Sequence, residues 1–197
     1  MGNSKKMWDG RFESGMAQSM IDLSFSLAFD QELIEEDIQG SIAHGKGLVE
    51  SGVLTEEEYS QIVSGLQGIL ADYKNGVALW NDGDEDVHMA VERVLTERIG
   101  QLGKKIHTGR SRNDQVSTDF KLYMRHRAEE ILVLEKNLAN ALLELSKKYI
   151  GKIMPGYTHL QVAMPSSFGL WFGAYAESLL DDEYFLQSAW KVTNRNP

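Results

Sequence analysis

Between Ser111 and Ile150 the chain holds neither glycine nor proline, and Leu122, Leu132, Leu138, Leu142 and Leu145 recur among strong helix formers. The stretch predicts one continuous helix of roughly 38 residues, about 57 Å long at ~1.5 Å per residue. A small domain cannot cover such a rod, so it predicts a bundle with helices contributed by other copies.

Three shorter helices precede it. Asp30 is expected to cap one whose apolar positions Leu33, Ile34, Ile38, Ile42 and Leu48 keep helical spacing as far as Gly52. Thr55-Glu56-Glu57-Glu58 reads as a capping box opening a helix through Ile62, Leu66 and Leu70 to Asn75-Gly76. A third runs from Asp86 through Met89, Val91, Val94 and Leu95 to Gly100. Downstream, Pro165 to Val192 predicts a second long helix, apolar and aromatic around most of its circumference and therefore buried on most of it. No stretch alternates as a half-buried strand does. The expected fold class is all-α, with a small N-terminal helical domain over residues 1–105 and the first long helices of a central helical bundle over 106–197. Two long helices make only a hairpin, so the chain is expected to be truncated.

Charge and composition exclude several functions. Twenty Lys and Arg against 29 Asp and Glu give a net charge of −9, which argues against a nucleic-acid surface. Without cysteine there are no disulfides, thiolate nucleophiles or Cys-type metal sites. The longest apolar run, Phe168 to Ala176, is too short for a bilayer, which needs about 20 residues. The N-terminus lacks an apolar secretion region, so no membrane association and a cytoplasmic location are expected. Asp82-Gly83-Asp84-Glu85-Asp86 fails as a calcium loop, because Val87 and Arg93 stand where Gly and Glu are required. His88 and Glu92 share a helix face but do not make the zinc-protease pattern. No metal and no cofactor are expected.

Against that acidic background, residues 104–127 carry seven Lys and Arg and two acids, Asp114 and Asp119. Gly103-Lys-Lys-Ile-His-Thr-Gly-Arg-Ser-Arg-Asn-Asp-Gln115 packs hydroxyl, amide, imidazole and guanidinium groups into a loop that empties into the long helix. Unpaired N–H groups and the helix dipole favour an anion there. Pro155-Gly156-Tyr157-Thr158-His159-Leu160-Gln161 repeats the chemistry and reads as a Pro-Gly turn presenting a hydroxyl, an imidazole and an amide. Two such segments predict a site for a carboxylate-rich small molecule.

His107 to Val116 and Pro155 to Gln161 resemble two of the three signature regions of the fumarase/aspartase superfamily, and within it the argininosuccinate lyases. Trp8-Asp9-Gly10-Arg11-Phe12, Phe25-Ser26-Leu27-Ala28-Phe29-Asp30 and Glu85-Asp86-Val87-His88 resemble further segments of that family, in its order. Asp9, Val162 and Met164 depart from its usual residues. The third signature, a mobile loop with the serine held to be the catalytic base, lies beyond residue 197, so residues 1–197 alone are expected to be inactive.

The resemblance implies elimination of argininosuccinate to fumarate and arginine through an aci-carboxylate intermediate, whose charge needs preorganised donors. It assigns His159 as the catalytic acid or proton relay. Ser26, Ser111, Arg112, Asn113 and Thr158 become substrate contacts, and His88 contacts substrate or orients the others. Ser111 and Asn113 could equally cap the long helix. The roles of Arg110, His107 and Trp8 stay open, and His44 and His126 read as structural or solvated. The family implies a homotetramer whose sites draw signature regions from three subunits. Two alternatives remain: a sibling lyase acting on adenylosuccinate, aspartate or fumarate, and a catalytically silent bundle such as the lens crystallins that resemble this family.

Overall fold

The computed structural model describes residues 17–197; the Trp8–Phe12 stretch lies outside the described residues. The chain divides into two compact units, one ending at Phe120 and the other running from Lys121 to Asn196. The all-α reading is borne out, with one small hairpin added.

The first unit contains α1 (Gln18–Ser24), α2 (Leu27–Asp30), α3 (Ile34–Glu50), α4 (Glu56–Lys74), α5 (Val87–Ile99), a 3-10 segment (Gly100–His107) and the start of α6 (Arg112–Lys148). Local chemistry sets these bounds. Thr55 Oγ1 accepts from the Glu58 N–H at 3.2 Å while Glu58 Oε2 accepts from the Thr55 N–H at 3.1 Å, the reciprocal pair expected of a capping box. Gly52, at φ 77°, ends α3: its N–H donates to the Val49 carbonyl and the Val53 N–H to the Leu48 carbonyl. That left-handed geometry satisfies the last carbonyls and favours glycine. Asp86 caps α5, accepting from the Met89 N–H at 2.6 Å. Asp30, expected to cap the following helix, instead closes α2 and directs Oδ1 to the Val87 N–H at 3.1 Å. Its carboxylate serves a helix distant in sequence, which no local pattern reveals.

The apolar faces of α3, α4 and α5 meet in one core, with Ile34, Ile38, Leu48, Ile62, Leu66, Ile69, Val87, Val91, Leu95 and Ile106 all buried. On α4 and α5 the buried positions Ile62, Leu66, Ile69 and Val87, Val91, Leu95 recur at three or four residues, so burial there follows the helical period.

The second unit continues α6 to Lys148, turns into β1 (Ile153–Thr158) and β2 (Gln161–Ser167), and ends in α7 (Phe168–Thr193). Arg125 lies 3.9 Å from the Trp190 ring centroid and Ser146 Oγ donates to the Gly169 carbonyl at 2.7 Å, so α6 and α7 run antiparallel. A Cβ on Gly169 would lie 2.6 Å from Ile150 Cα; the close approach of the helices requires glycine there. The strands correct the strand-free expectation. Neither has a buried face, so neither could show the alternation that betrays a strand. Pro155 and Gly156 sit inside β1, opposite Pro165 and Met164, and not in a turn. Pro165 is therefore not in the first turn of α7, whose cap is Ser167, accepting from the Leu170 N–H at 3.1 Å. Among the described residues, α7 buries only Gly169 and Ala176, while Tyr184 and Phe185 are 71% and 77% exposed. The expected burial of its aromatic circumference is not supplied by these residues.

Candidate functional site

The 3-10 segment delivers the chain to a turn in which the Arg110 N–H donates to the His107 carbonyl, with Gly109 at φ 68°. Ser111 then opens α6: its carbonyl accepts from the Gln115 N–H at 3.1 Å and its Oγ from the Asn113 N–H at 3.3 Å. The capping role considered for Ser111 is thus real, and it leaves Ser111 and Asn113 exposed at the positive end of a 37-residue helix.

Arg112 does not swing freely. Its guanidinium donates to Gln115 Oε1 at 2.8 Å and to Glu92 Oε2 on α5 at 3.2 Å. Arg110 turns inward and donates to Ser41 Oγ on α3 at 3.1 Å, and its buried Nε has no partner. Behind the loop, His44 Nε2 lies 3.0 Å from the Thr108 carbonyl, tying α3 to the turn. Burial holds both His44 and His107 below the ordinary imidazole range, with Arg110 adding to the effect on each.

His88, on the first turn of α5, is 2% exposed. Its Nδ1 lies 3.0 Å from Asp37 Oδ1 and 3.3 Å from Asp119 Oδ2. Burial by itself would lower the His88 pKa, but the hydrogen bond and charge of Asp37 outweigh it and raise the pKa. Burial would likewise raise Asp37, yet its bond to His88 holds it below the usual carboxylate range. Asp119 takes the opposite course: burial first, then the neighbouring Asp37 charge, pushes it up to about 8. Gln115 Nε2 donates to Asp37, which links the cluster to Arg112. His88, Arg112, Arg110, Glu92, Gln115 and Ser41 line one small cavity between α3, α5 and the start of α6.

Ser26 is linked through Asp30 to Val87, the residue before His88. Ser26 Oγ donates to Asp30 Oδ2 at 2.5 Å, and the Ser26 N–H to the Glu85 carbonyl at 2.8 Å. Asp30 in turn accepts from the Val87 N–H. Burial raises the Asp30 carboxyl against the lowering effect of the Ser26 bond.

Thr158 and His159 belong to the second unit, at the tip of the hairpin. Thr158 pairs with Gln161, leaving His159 and Leu160 as a two-residue turn at φ 48° and 63°. Left-handed backbone at both central positions marks the turn that fits a hairpin's twist and ordinarily selects glycine or asparagine. Here it projects an imidazole into solvent, with Leu160 95% exposed beside it.

The fold thus gathers Ser111, Arg112, Asn113 and His88 at one end of α6, with Ser26 joined through Asp30, and sets Thr158 and His159 side by side on a separate unit. Sequence reasoning missed Asp37, Gln115 and Asp119. A signal existed: Asp37 falls on the apolar stripe Ile34, Ile38, Ser41, Gly45 and Leu48 of α3, where a lone carboxylate needs a buried partner. Asp37, His88 and Asp119 also form, among the described residues, a group whose ligating atoms lie within 4.8 Å of one another.

Residues 10–197 match the profile of a lyase family. Argininosuccinate lyase of Bacteroides fragilis is 46% identical over 194 residues, which make up 98% of this chain and 43% of that protein. The Acinetobacter baumannii argininosuccinate lyase is 47% identical over 191 residues, 97% of this chain and 40% of that protein. The chain therefore spans less than half the length of these curated relatives. Among solved structures, a variant of EDDS lyase with bound fumarate superposes at a TM-score of 0.73 and 23% identity, covering 94% of this chain and 37% of that one. A Brucella melitensis fumarate lyase:delta crystallin gives 0.70 at 18% identity, covering 88% and 44%. These likenesses carry the fold alone.

Proposed function

The chain belongs to the lyase family, and from that premise we propose that the protein it forms cleaves argininosuccinate into fumarate and L-arginine. The observation that carries the reading is the tethered Arg112 beside Ser111 and Asn113 at the positive end of α6, in a chain 46% identical to argininosuccinate lyases over nearly its whole length.

The proton removed in such an elimination lies next to a carboxylate and passes to a base, the role the resemblance gives to the serine of the third signature region. It becomes acidic enough only when negative charge spreads onto that carboxylate, so the site must present fixed donors before the reaction begins. Ser111, Arg112 and Asn113 supply a hydroxyl, a guanidinium and an amide, and α6 adds its dipole. Arg112 is held by Gln115 and Glu92, so it need not reorganise as charge develops. Thr158 adds a hydroxyl. His159 is the group able to pass a proton to or from the leaving guanidine, and its strained turn holds the ring clear of the strands. Ser26 contributes a further substrate contact and His88 orients the α5 side of the pocket. This division of roles uses no metal or cofactor.

The functional unit is a homotetramer with sites shared between subunits. The second unit supports it by leaving Leu134, Leu138, Leu170, Tyr184 and Phe185 more than half exposed, an apolar surface suited to burial in a bundle. Among the described residues no helix is long and apolar enough to cross a membrane; the cytoplasm is the proposed location.

Fumarate release from argininosuccinate, adenylosuccinate and aspartate by the uninterrupted protein carrying all three signature regions, followed by ultraviolet absorbance, tests the assignment. Preference for argininosuccinate supports it. Preference for either other substrate replaces it with a sibling lyase, and no release from any points to a silent scaffold.

A further inference from the structure

Two carboxylate oxygens in the first unit, Asp37 Oδ2 and Asp119 Oδ2, are buried without a hydrogen-bond donor. Both side chains are 1% exposed. Asp37 Oδ1 is already satisfied by His88 and Gln115, and the single Nδ1–H of His88 cannot serve both carboxyl groups fully at 3.0 and 3.3 Å. Two carboxylates this close cannot both stay ionised away from water, and a buried oxygen without a donor is expensive. One added proton removes both faults. It cancels the repulsion and supplies an O–H donor that the two neighbouring carboxyl groups otherwise lack.

We propose that Asp37 and Asp119 hold one proton between them and clamp the Nδ1–H of His88, so that both are positioning residues for His88 and, through Gln115, for Arg112. The clamp joins three helices at one point: Asp37 from α3, His88 from α5, Asp119 and Gln115 from α6. Gly40 makes room for it, since a Cβ there would lie 2.9 Å from Asp119 Oδ1. Its consequence is a fixed tautomer. His88 keeps the proton on Nδ1, leaving Nε2 as the nitrogen that titrates. Gln115 is oriented in the same way, because its amide nitrogen is committed to Asp37 and its oxygen is thereby turned to the Arg112 guanidinium.

The charged groups around the clamp are Asp30 at the end of α2 and Asp86 at the start of α5, which act on His88, and Arg110 from the loop, which acts on both carboxyl groups; Glu92 and Arg112 line the same cavity. Arg110 is the cation nearest in effect, but it is bonded to Ser41 and makes no hydrogen bond to either carboxyl group. A divalent cation is the competing occupant, since the three ligating atoms have suitable spacing. The nearby guanidinium disfavours added positive charge, and a proton satisfies the same oxygens.

The part of the proposal that concerns Arg112 rests on its reading as a substrate contact; the clamp itself does not. The test is therefore spectroscopic. In the 197-residue chain labelled with ring-15N histidine, His88 is assigned by the signal lost in His88→Gln, and its ring nitrogens are followed from acid to alkaline pH. The expected result is a neutral form protonated on Nδ1, with a second step near pH 8 as the shared proton leaves Asp119, and no such step in Asp119→Asn, whose amide keeps a donor in place. Should Asp119→Asn fail to fold, the side-chain 13C titration of wild-type Asp119 decides, with an expected midpoint raised from the ordinary value near 4 to about 8. A neutral His88 protonated on Nε2, an alkaline step that survives Asp119→Asn, an Asp119 titrating in the ordinary range, or one equivalent of Zn2+ displacing the Nδ1 proton would each overturn the clamp. Absence of lyase activity from the protein that carries all three signature regions, with these signals intact, would instead count against the proposed function.

Discussion

The guanidinium of Arg112 donates to Gln115 Oε1 at 2.8 Å, one turn along the same helix. Because the Gln115 amide nitrogen is occupied by Asp37, the oxygen faces the guanidinium and the donor fork is set before any ligand arrives. A second anchor, Glu92 Oε2 at 3.2 Å, fixes it from α5. An apparently ordinary helix-start arginine is thus a preorganised cation.

That relationship predicts different outcomes for two substitutions. Arg112→Lys keeps the charge but loses the fork, so kcat/KM for argininosuccinate should fall by about 10²-fold. Gln115→Ala leaves the guanidinium in place but unaimed and should lower kcat/KM by a smaller factor, about tenfold. Steady-state kinetics on both variants checks the order; equal activity for wild type and Arg112→Lys would contradict it.

Stability should fall as pH rises. Folded Asp119 keeps its proton to about pH 8, whereas an unfolded carboxyl releases it near pH 4. Between those values the folded state binds the extra proton, so stability declines by at most about 1.4 kcal/mol per pH unit and levels off above. His88, also raised when folded, acts with the same sign, its contribution complete below about pH 6.5 and lost as pH climbs through its folded value. Urea midpoints measured from pH 6.5 to 9, above the window in which the depressed His44 and His107 act with the opposite sign, should show this decline, and Asp119→Asn should flatten it.

Thr55→Ala removes the hydroxyl half of the α4 capping box. The expected loss is about 1 kcal/mol, seen as a lower urea midpoint with unchanged slope. Thr55→Ser should retain most of it.

Gly169→Ala should pry α7 from α6, because the new Cβ would meet Ile150 Cα at 2.6 Å and the Ser146 carbonyl at 3.0 Å. These are backbone atoms and cannot move aside cheaply. A loss of about 1–3 kcal/mol is expected, with a change in the emission of Trp171 and Trp190, which sit on α7.

Leu160→Gly should leave the hairpin as stable or firmer by about 1 kcal/mol, since it relieves a left-handed residue and sacrifices a side chain already 95% exposed. A lower thermal midpoint for this variant would mean that Leu160 makes contacts in the assembly which outweigh its strain.

The helices were legible because their signals are local. The Thr55–Glu58 box, Asp86 before α5 and the unbroken run into α6 act within a turn or along one face. The hairpin was not, since a strand exposed on both faces has no alternation to read, and Pro155-Gly156 suggested a turn that forms instead at His159-Leu160. The loop chemistry at Ser111 to Asn113 could be read from residue types alone. Its support could not: Asp37 and Asp119 stand 82 positions apart and meet only because three helices pack together. Asp30 teaches the same lesson, capping α5 from the end of α2.

The most direct test of the proposed chemistry compares argininosuccinate cleavage by the wild-type protein with that by His159→Asn, which keeps a polar side chain able to accept the left-handed backbone. The account predicts fumarate release by the wild type and a loss of at least about 10²-fold in kcat for the variant, with substrate still bound. Undiminished turnover in His159→Asn would contradict it.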